Sequence, residues 1–296
     1  MTSTVTPSGL DGDDLIKHLQ IGLDTKHELR READESGSVV LDLSSANWFA
    51  PTFLTPVSVV YNQLVAEGYD ITVRYPDSYQ VKRYLKMIDF PEGTPDPPDR
   101  YRNTLPLCSM NTSRDADAVD IVSEKMGQLL KDQFLSDSDI DQVMWLKYPF
   151  SETIDNVDTH SKCDFGALLI QNYPSKNFFD FCIADDGISI PGNFEEHNIT
   201  FPSDDEANRM AMEDGYSTRQ TDDGRRGFGL RTTVEMVCDG LMGEVLISSR
   251  DSTLSRYRNN KITREIKSRS WSGTIFAARL HPPSDDFSYI EYLMPD

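Results

Sequence analysis

A proline-rich segment interrupts the chain about a third of the way along its length. The segment FPEGTPDPPDRYRNTLP, residues 90–106, contains five prolines. Proline lacks a backbone hydrogen-bond donor and disfavours helix at the residue before it, so no long helix or central strand is expected to cross this segment. The 296 residues are also enough for two hydrophobic cores. We therefore predict two domains, residues 1–95 and 106–296, joined by a linker at about residues 91–105.

The first segment alternates between helical and strand-like patterns. Apolar residues recur at helical spacing in three stretches, DDLIKHLQIGLDTKHELRREA, PTFLTPVSVVYNQLVAEG and DSYQVKRYLKMIDF. Between them, SVVLDLSSA is an apolar run typical of a buried strand, and YDITVRYP alternates apolar and polar residues. The resulting order, α-β-α-β-α, indicates a domain of the α/β class.

The order of these elements, over residues 38–90 in particular, resembles the STAS-like domains of anti-anti-sigma-factor type. In the phosphorylatable members of that family an Asp-Ser pair begins the central helix. The matching stretch here is FAPTFL, with Ala50 and Pro51 in place of the pair and Thr52 as the nearest hydroxyl. The resemblance therefore implies a scaffold or docking domain, with a protein partner engaged through residues 1–95, rather than a phosphorylation switch.

The chain is strongly acidic, with 49 Asp and Glu against 29 Lys and Arg and a net charge of -20. Duplex DNA is not expected to bind directly, because its phosphates would meet a repulsive field and few counterions would be released. No apolar run approaches the roughly 18 to 20 residues that a membrane span needs, and no secretory signal pattern begins the chain. We expect a cytoplasmic protein without a membrane partner, and the sequence leaves a homodimer open.

The cysteines are widely spaced and form no C-x-x-C pair, which argues against a zinc site or a disulfide framework. We expect them to be small buried hydrophobic residues. They are Cys108, Cys163, Cys182 and Cys238.

Three residues capable of metal, proton or phosphate chemistry recur at intervals of four in FSETIDNVDTHS, residues 150–161. They are Glu152, Asn156 and His160. On a helix, an apolar stripe separates from this polar row and would face a core. The stripe consists of Phe150, Ile154 and Val157. Taken alone, the polar row is compatible with a solvated face as well as with a site.

Two further stretches combine glycine with polar residues. SKNFFDFCIADDGISIPGNF predicts a buried strand with Phe179, Phe181 and Ile183 on one side, ending at Asp185, which can accept a hydrogen bond from a ligand amino group. EDGYSTRQTDDGRRGFGLRTTVEMV places Gly224, Gly227 and Gly229 directly before an apolar helical run, so unpaired amides and the helix dipole can hold phosphate. The alternatives are an ordinary turn for the first stretch and a flexible hinge for the second.

The last part of the chain predicts a hairpin. GEVLISSRD and SWSGTIFAARLHP read as strands, joined through RYRNNKITREIKSR with an Asn-Asn turn. Thr274 follows Gly273 near the start of the closing strand.

These pieces, in this order over residues 106–282, are similar to the GHKL ATP-binding fold of type II topoisomerases, mismatch-repair ATPases, histidine kinases and anti-sigma-factor kinases. The similarity is carried by the E-x-x-x-N box, the D-x-G box, the lid box G-x-x-G-x-G-L and a G-T pair on a late strand. In this sequence the E-x-x-x-N box is Glu152 and Asn156, and the D-x-G box is Asp185 and Gly187, followed by Ser189. The lid box is Gly224, Gly227, Gly229 and Leu230, and the G-T pair is Gly273 and Thr274. Ser189 replaces a glycine that is usual in the family, which puts the shape of the adenine pocket in question.

The resemblance implies a fold of the α/β (α+β) class. A STAS-like α/β domain would be followed by a GHKL two-layer α/β sandwich with a mixed sheet and a glycine-rich ATP lid. The implied cofactors are ATP and Mg²⁺. Asn156 would coordinate the metal, Glu152 would activate the attacking water or hydroxyl, and Asp185, assisted by Thr274, would accept from the adenine amino group.

The remaining candidate residues, in the boxes or beside them, are implied to contact the nucleotide, and for His160 a structural hydrogen bond at the helix end is the alternative. They are His160, Gly187, Ser189, Gly224, Arg225, Arg226, Gly227, Gly229 and Leu230. The leading functional hypothesis is an ATP-binding regulatory protein with slow Mg-dependent hydrolysis, acting through a protein partner. One alternative is a protein serine/threonine kinase of anti-sigma-factor type, and another is a binding module that holds ATP without turnover.

Overall fold

The computed structural model describes residues 2–95, 104–110, 124, 141–214, 229–258, 263–284, 287–288 and 290–293. These residues form an α+β protein with two sheets, one parallel and one antiparallel. Gly224, Arg225, Arg226 and Gly227 lie outside the described residues, as does the predicted Asn-Asn turn at residues 259–260.

The N-terminal sheet has three parallel strands in the order β1 (Ser3–Val5), β2 (Ser38–Asp42) and β3 (Asp70–Arg74). Helix α1 (Leu15–Ser36) connects β1 to β2, α2 (Pro51–Ala66) connects β2 to β3, and α3 (Tyr79–Met87) follows. The five predicted elements are confirmed. Strand β1 was not predicted, because three residues are too few to show a periodic pattern.

The second sheet has seven strands in the order β4-β5-β6-β10-β7-β8-β9. Their bounds are β4 (Thr104–Met110), β5 (Gly166–Tyr173), β6 (Phe178–Asp185), β7 (Glu244–Arg250), β8 (Ser252–Tyr257), β9 (Arg264–Glu265) and β10 (Trp271–Leu280). The seven strands pair antiparallel with one another, so the expected mixed sheet is not seen among these strands, although Thr94 forms an isolated parallel bridge with Cys108 of β4. The short connections from β5 to β6 and from β7 to β8 are hairpins, which pair their strands antiparallel.

Helices cover one face of this sheet. They are α4 (Asp141–Asn156), α5 (Ser189–Glu196), α6 (Asp204–Arg209), α7 (Gly229–Glu235) and α8 (Ile290–Leu293); π-helical turns, Val157–Ser161, Met210–Asp214 and Met236–Gly240, extend α4, α6 and α7. The predicted stripe of Phe150, Ile154 and Val157 is buried against this face, and the ring of Phe150 meets that of Phe181 edge to face at 4.5 Å. The predicted common face of Phe179, Phe181 and Ile183 is therefore confirmed.

Helix α2 covers the opposite face, and α1 packs against α2. Leu169, Cys182 and Ala277 of the seven-stranded sheet belong to the same hydrophobic cluster as Leu23 of α1 and Phe53 of α2. Residues 51–60 of α2 are buried on all sides, as expected for a helix enclosed between sheets. One hydrophobic core therefore joins the two predicted domains.

All four cysteines are buried and unbridged, as predicted. Among the described helices none combines the length and apolar character needed to cross a membrane. Within the same residues, no three His, Cys, Asp or Glu side chains cluster as a metal site.

Candidate nucleotide site

The polar row of the sequence lies on α4 and on the π-helical turn that follows it. Glu152, Asn156 and His160 are half-buried, while the apolar stripe of the same helix is buried in the core. The helix leaves the α-helical path after Asn156, and the Ser161 hydroxyl donates to the Val157 carbonyl oxygen at 2.6 Å. A π-helical turn widens the helix and is common at functional sites.

Asp185 is the last residue of β6 and is 1% exposed. The strand pairs it with Gly166 on one side and with Thr274 on the other. Its Oδ1 accepts the backbone N–H of Gly187 at 2.8 Å. Burial raises the pKa of Asp185 to about 7, and the nearby charge of Asp186 acts in the same direction. The carboxyl group is thus fixed in direction at the end of a strand.

Gly187 brings the strand end against the end of the π-helical turn. A β-carbon at Gly187 would overlap the carbonyl oxygen of Ser161. The same oxygen accepts the backbone N–H of Ile188 at 2.8 Å. Only glycine permits this approach, so the D-x-G box and the helix that carries Asn156 meet through backbone contacts.

Ser189 has the left-handed backbone conformation that favours glycine, with φ of 71°. This explains why glycine would be the simpler residue at that position. The side chain is buried, and its Oγ accepts the backbone N–H of Gly192 at 3.1 Å in the first turn of α5. The hydroxyl therefore has a structural partner within its own helix.

The G-T pair of β10 lies directly beside Asp185. A β-carbon at Gly273 would overlap the Asp185 carbonyl oxygen and would lie 2.6 Å from the Gly187 nitrogen. Thr274 Oγ1 lies 3.3 Å from the hydroxyl of Ser249 on β7. The predicted neighbourhood of Asp185, Gly187 and Thr274 is present in the structure.

Gly229 connects the end of the predicted lid to the polar row. It begins α7, and a β-carbon at this position would overlap Oε2 of Glu152. Leu230 is half-buried against two hydrophobic clusters, one under the sheet and one beside α5. The structure therefore brings Gly229 to Glu152, the residue expected to activate the attacking water.

Sequence reasoning missed two side chains that support this site. Ser249 is buried, donates to the Gly273 carbonyl oxygen at 2.9 Å and accepts the Ile190 N–H at 3.0 Å. Trp271 is buried and donates its indole N–H to the Asp185 carbonyl oxygen at 2.7 Å. A serine inside the apolar strand pattern GEVLISSRD was the available signal for Ser249.

The residues present fit an adenine nucleotide and Mg²⁺ in chemical type. Asp185 is a buried acceptor whose direction is fixed by a backbone amide. The side chain of Asn156 makes no capping hydrogen bond to the π-helical turn that follows it. An amide oxygen and the carboxylate of Glu152 are hard donors of the kind that Mg²⁺ prefers.

Comparisons with models of known protein families and with curated proteins return no match for this chain.

Proposed function

We propose that this chain is an ATP-binding regulatory protein of GHKL type, with an N-terminal STAS-like domain, slow Mg-dependent ATP hydrolysis and a protein partner. One observation supports this proposal above the others. One glycine from each of three boxes leaves no room for a β-carbon: Gly187 lies against the Ser161 backbone, Gly273 against the Asp185 backbone, and Gly229 against the Glu152 side chain. Boxes that are distant in the sequence thus lie next to one another in pairs, along α4 and the turn that follows it.

In this proposal each residue has a distinct task. Asp185 accepts the adenine amino group, with Thr274 beside it on the neighbouring strand. Asn156 offers its side-chain oxygen to Mg²⁺, and Glu152, one helical turn away, orients and deprotonates the attacking water. When bound, Mg·ATP supplies the γ-phosphoryl group, and the metal neutralises part of its charge.

The contact between Gly229 and Glu152 links the end of the lid to the catalytic group. Any movement of α7 that shifts Gly229 changes the space available to the Glu152 carboxylate, because no side chain separates them. In this proposal the position of the lid is therefore coupled to the orientation of the Glu152 carboxylate, the general base. Such coupling suits a regulated enzyme with slow turnover.

The test combines nucleotide binding with phosphate release. We expect Mg·ATP to raise the melting temperature of the wild-type protein, and Asp185→Asn to abolish this shift while the protein remains folded. We expect Glu152→Ala to keep the ATP dissociation constant within about threefold and to lower turnover at least about 100-fold, the scale of a lost general base. Asp70→Asn, an exposed residue of the three-stranded sheet, is the matched control.

Each outcome has a defined meaning. Normal ATP affinity in Asp185→Asn would contradict the site, and unchanged turnover in Glu152→Ala would remove Glu152 from its role. Transfer of label from γ-labelled ATP to a protein hydroxyl would replace the ATPase with a kinase. Binding without phosphate release or transfer would replace it with a binding module.

A further inference from the structure

Asp186, which follows the proposed adenine acceptor, is held by groups from two parts of the chain. Its Oδ1 accepts the backbone N–H groups of Asp164 at 3.0 Å and Phe165 at 2.9 Å, just before β5. Its Oδ2 accepts the side-chain amide of Gln63 at 2.8 Å. Gln63 lies on α2, within the N-terminal segment. One carboxylate therefore ties the end of β6 to a helix of the other predicted domain.

The N-terminal segment reaches the same strand end by a second route. Trp271 donates to the carbonyl oxygen of Asp185. Lys26 of α1 lies over the Trp271 ring, with Nζ 5.0 Å from its centroid, and donates to the Ser270 carbonyl oxygen at 3.0 Å. Both N-terminal helices thus contact groups that are bonded directly to Asp185 or are adjacent to it in the chain.

These contacts act on the direction of the Asp185 carboxyl group. Hydrogen-bond strength depends steeply on distance and angle, so a small rotation of the peptide between Asp185 and Asp186 changes how well Asp185 accepts from a base. Functional groups are held in productive geometry by the hydrogen bonds of the residues behind them. Gln63 is the group that α2 contributes to this support.

We infer that Gln63 is a positioning residue of the nucleotide site, through which the N-terminal segment sets base recognition by Asp185. This inference rests on the proposed function. It assigns α2 a part in choosing adenine that the sequence boxes do not include.

The test uses substitutions of opposite charge at Gln63 in the full chain. Gln63→Glu places a carboxylate against Asp186, and we expect Mg·ATP to bind about tenfold more weakly by calorimetry. The loss for Mg·GTP should be smaller, so the ratio of the two dissociation constants moves towards one. Gln63→Lys keeps a donor for Asp186, and we expect it to bind ATP within about twofold of wild type.

Asn62 provides the matched control. It is the preceding residue on α2, and its amide donates to the Glu92 carbonyl oxygen at 3.0 Å, away from Asp186. Asn62→Asp makes the same charge change and also removes an amide donor. We expect its ATP dissociation constant and its ATP-to-GTP ratio to match those of the wild type.

The outcomes separate the inference from the proposed function. If wild-type protein binds no adenine nucleotide, both are overturned. If wild type binds ATP and Gln63→Glu binds it equally well, or if Asn62→Asp loses as much affinity, the inference alone is overturned. If Gln63→Glu does not fold, Gln63→Leu replaces it, and an unchanged ATP-to-GTP ratio in that variant overturns the inference.

Discussion

Asp185 combines two demands at a single residue. In the proposed site the carboxyl group must lie inside the protein to meet the adenine ring, and it is enclosed at the junction of β6 and β10. Burial raises its pKa to about 7, since an ionised carboxylate loses its hydration there. Amides of Gly187 and Thr274 oppose that shift by donating hydrogen bonds to it. Asp185 thus remains a hydrogen-bond acceptor although burial disfavours its ionised form.

The raised pKa predicts how stability depends on pH. The unfolded chain loses this proton near the ordinary pKa of 3.8, whereas the folded protein keeps it up to about 7. Protonated Asp185 therefore makes its largest contribution to the free energy of unfolding below about pH 4. This contribution falls as the pH rises to about 7, by at most about 1.4 kcal/mol per pH unit. Asparagine cannot titrate, so Asp185→Asn removes this dependence.

The measurement is urea unfolding of wild type and Asp185→Asn at several values between pH 4 and 8. The stability of Asp185→Asn relative to wild type should rise across this range and become level above pH 7. A constant difference would show that Asp185 ionises normally in the folded protein. Comparing the two proteins cancels the titration of other buried acids, including Asp180 and Glu244.

At the scale of elements, glycine contacts fix how helices meet strands. Gly187 approaches backbone at the end of the α4 turn, whereas Gly229 approaches only the flexible end of the Glu152 side chain. A methyl group has different consequences in the two places. At Gly187 the added methyl group would displace a whole element, because it meets backbone atoms. At Gly229 it would displace only the Glu152 side chain.

This difference predicts that two alanine substitutions affect different properties, stability in one case and turnover in the other. Gly187→Ala should destabilise the protein by about 1–3 kcal/mol, as overpacking against fixed atoms does. Gly229→Ala should leave the melting temperature within a few degrees and lower turnover about tenfold or more, because the Glu152 carboxylate must move. Thermal unfolding and phosphate release measure the two effects. Equal loss of stability in both variants would contradict the assignment of Gly229 to the catalytic group.

At the scale of the whole molecule, the arginine of a buried ion pair also contacts the N-terminal segment. Arg279 of β10 forms two hydrogen bonds with Asp180 of β6, at 2.7 and 2.8 Å. The same guanidinium donates to the Asp13 carbonyl oxygen at 2.7 Å, and Asp13 pairs with Lys176 at 2.6 Å. Together with the shared core, these contacts hold the N-terminal segment against the seven-stranded sheet.

Removing one partner of the buried pair should be costly. Asp180 is fully buried, so Asp180→Ala leaves the Arg279 charge without its carboxylate and should destabilise the protein by about 3–5 kcal/mol. Glu196→Ala breaks the exposed pair with Lys162 and should change stability by less than about 1 kcal/mol. Denaturant unfolding compares them. A similar small effect in both variants would show that the Asp180 pair contributes little to the stability of the fold.

Much of the local structure could be read from short-range patterns. The helices α1 and α2, the strands β2 and β6, and the apolar stripe of α4 follow from spacing of apolar residues, because burial of one face sets that spacing. Strand β8 was missed because STLSRY lies between two predicted strands and has no apolar alternation. The residue types of the site were also apparent, since Asp185, Asn156 and Gly229 belong to recognisable spacings.

The sequence by itself predicted α1, α2, β2, β6 and the apolar stripe of α4, and it identified the candidate residue types of the site, since both depend on neighbours a few positions away. Only the tertiary structure decided that α2 covers the second sheet with α1 packed against α2, that the strands of this sheet pair antiparallel with one another, and that Gln63 contacts Asp186. Gln63 and Asp186 are separated by 123 positions. Contacts between residues so far apart in the sequence depend on which faces of helices and sheets pack together. The periodic pattern of apolar residues shows that a face is buried, but it does not indicate which face it packs against.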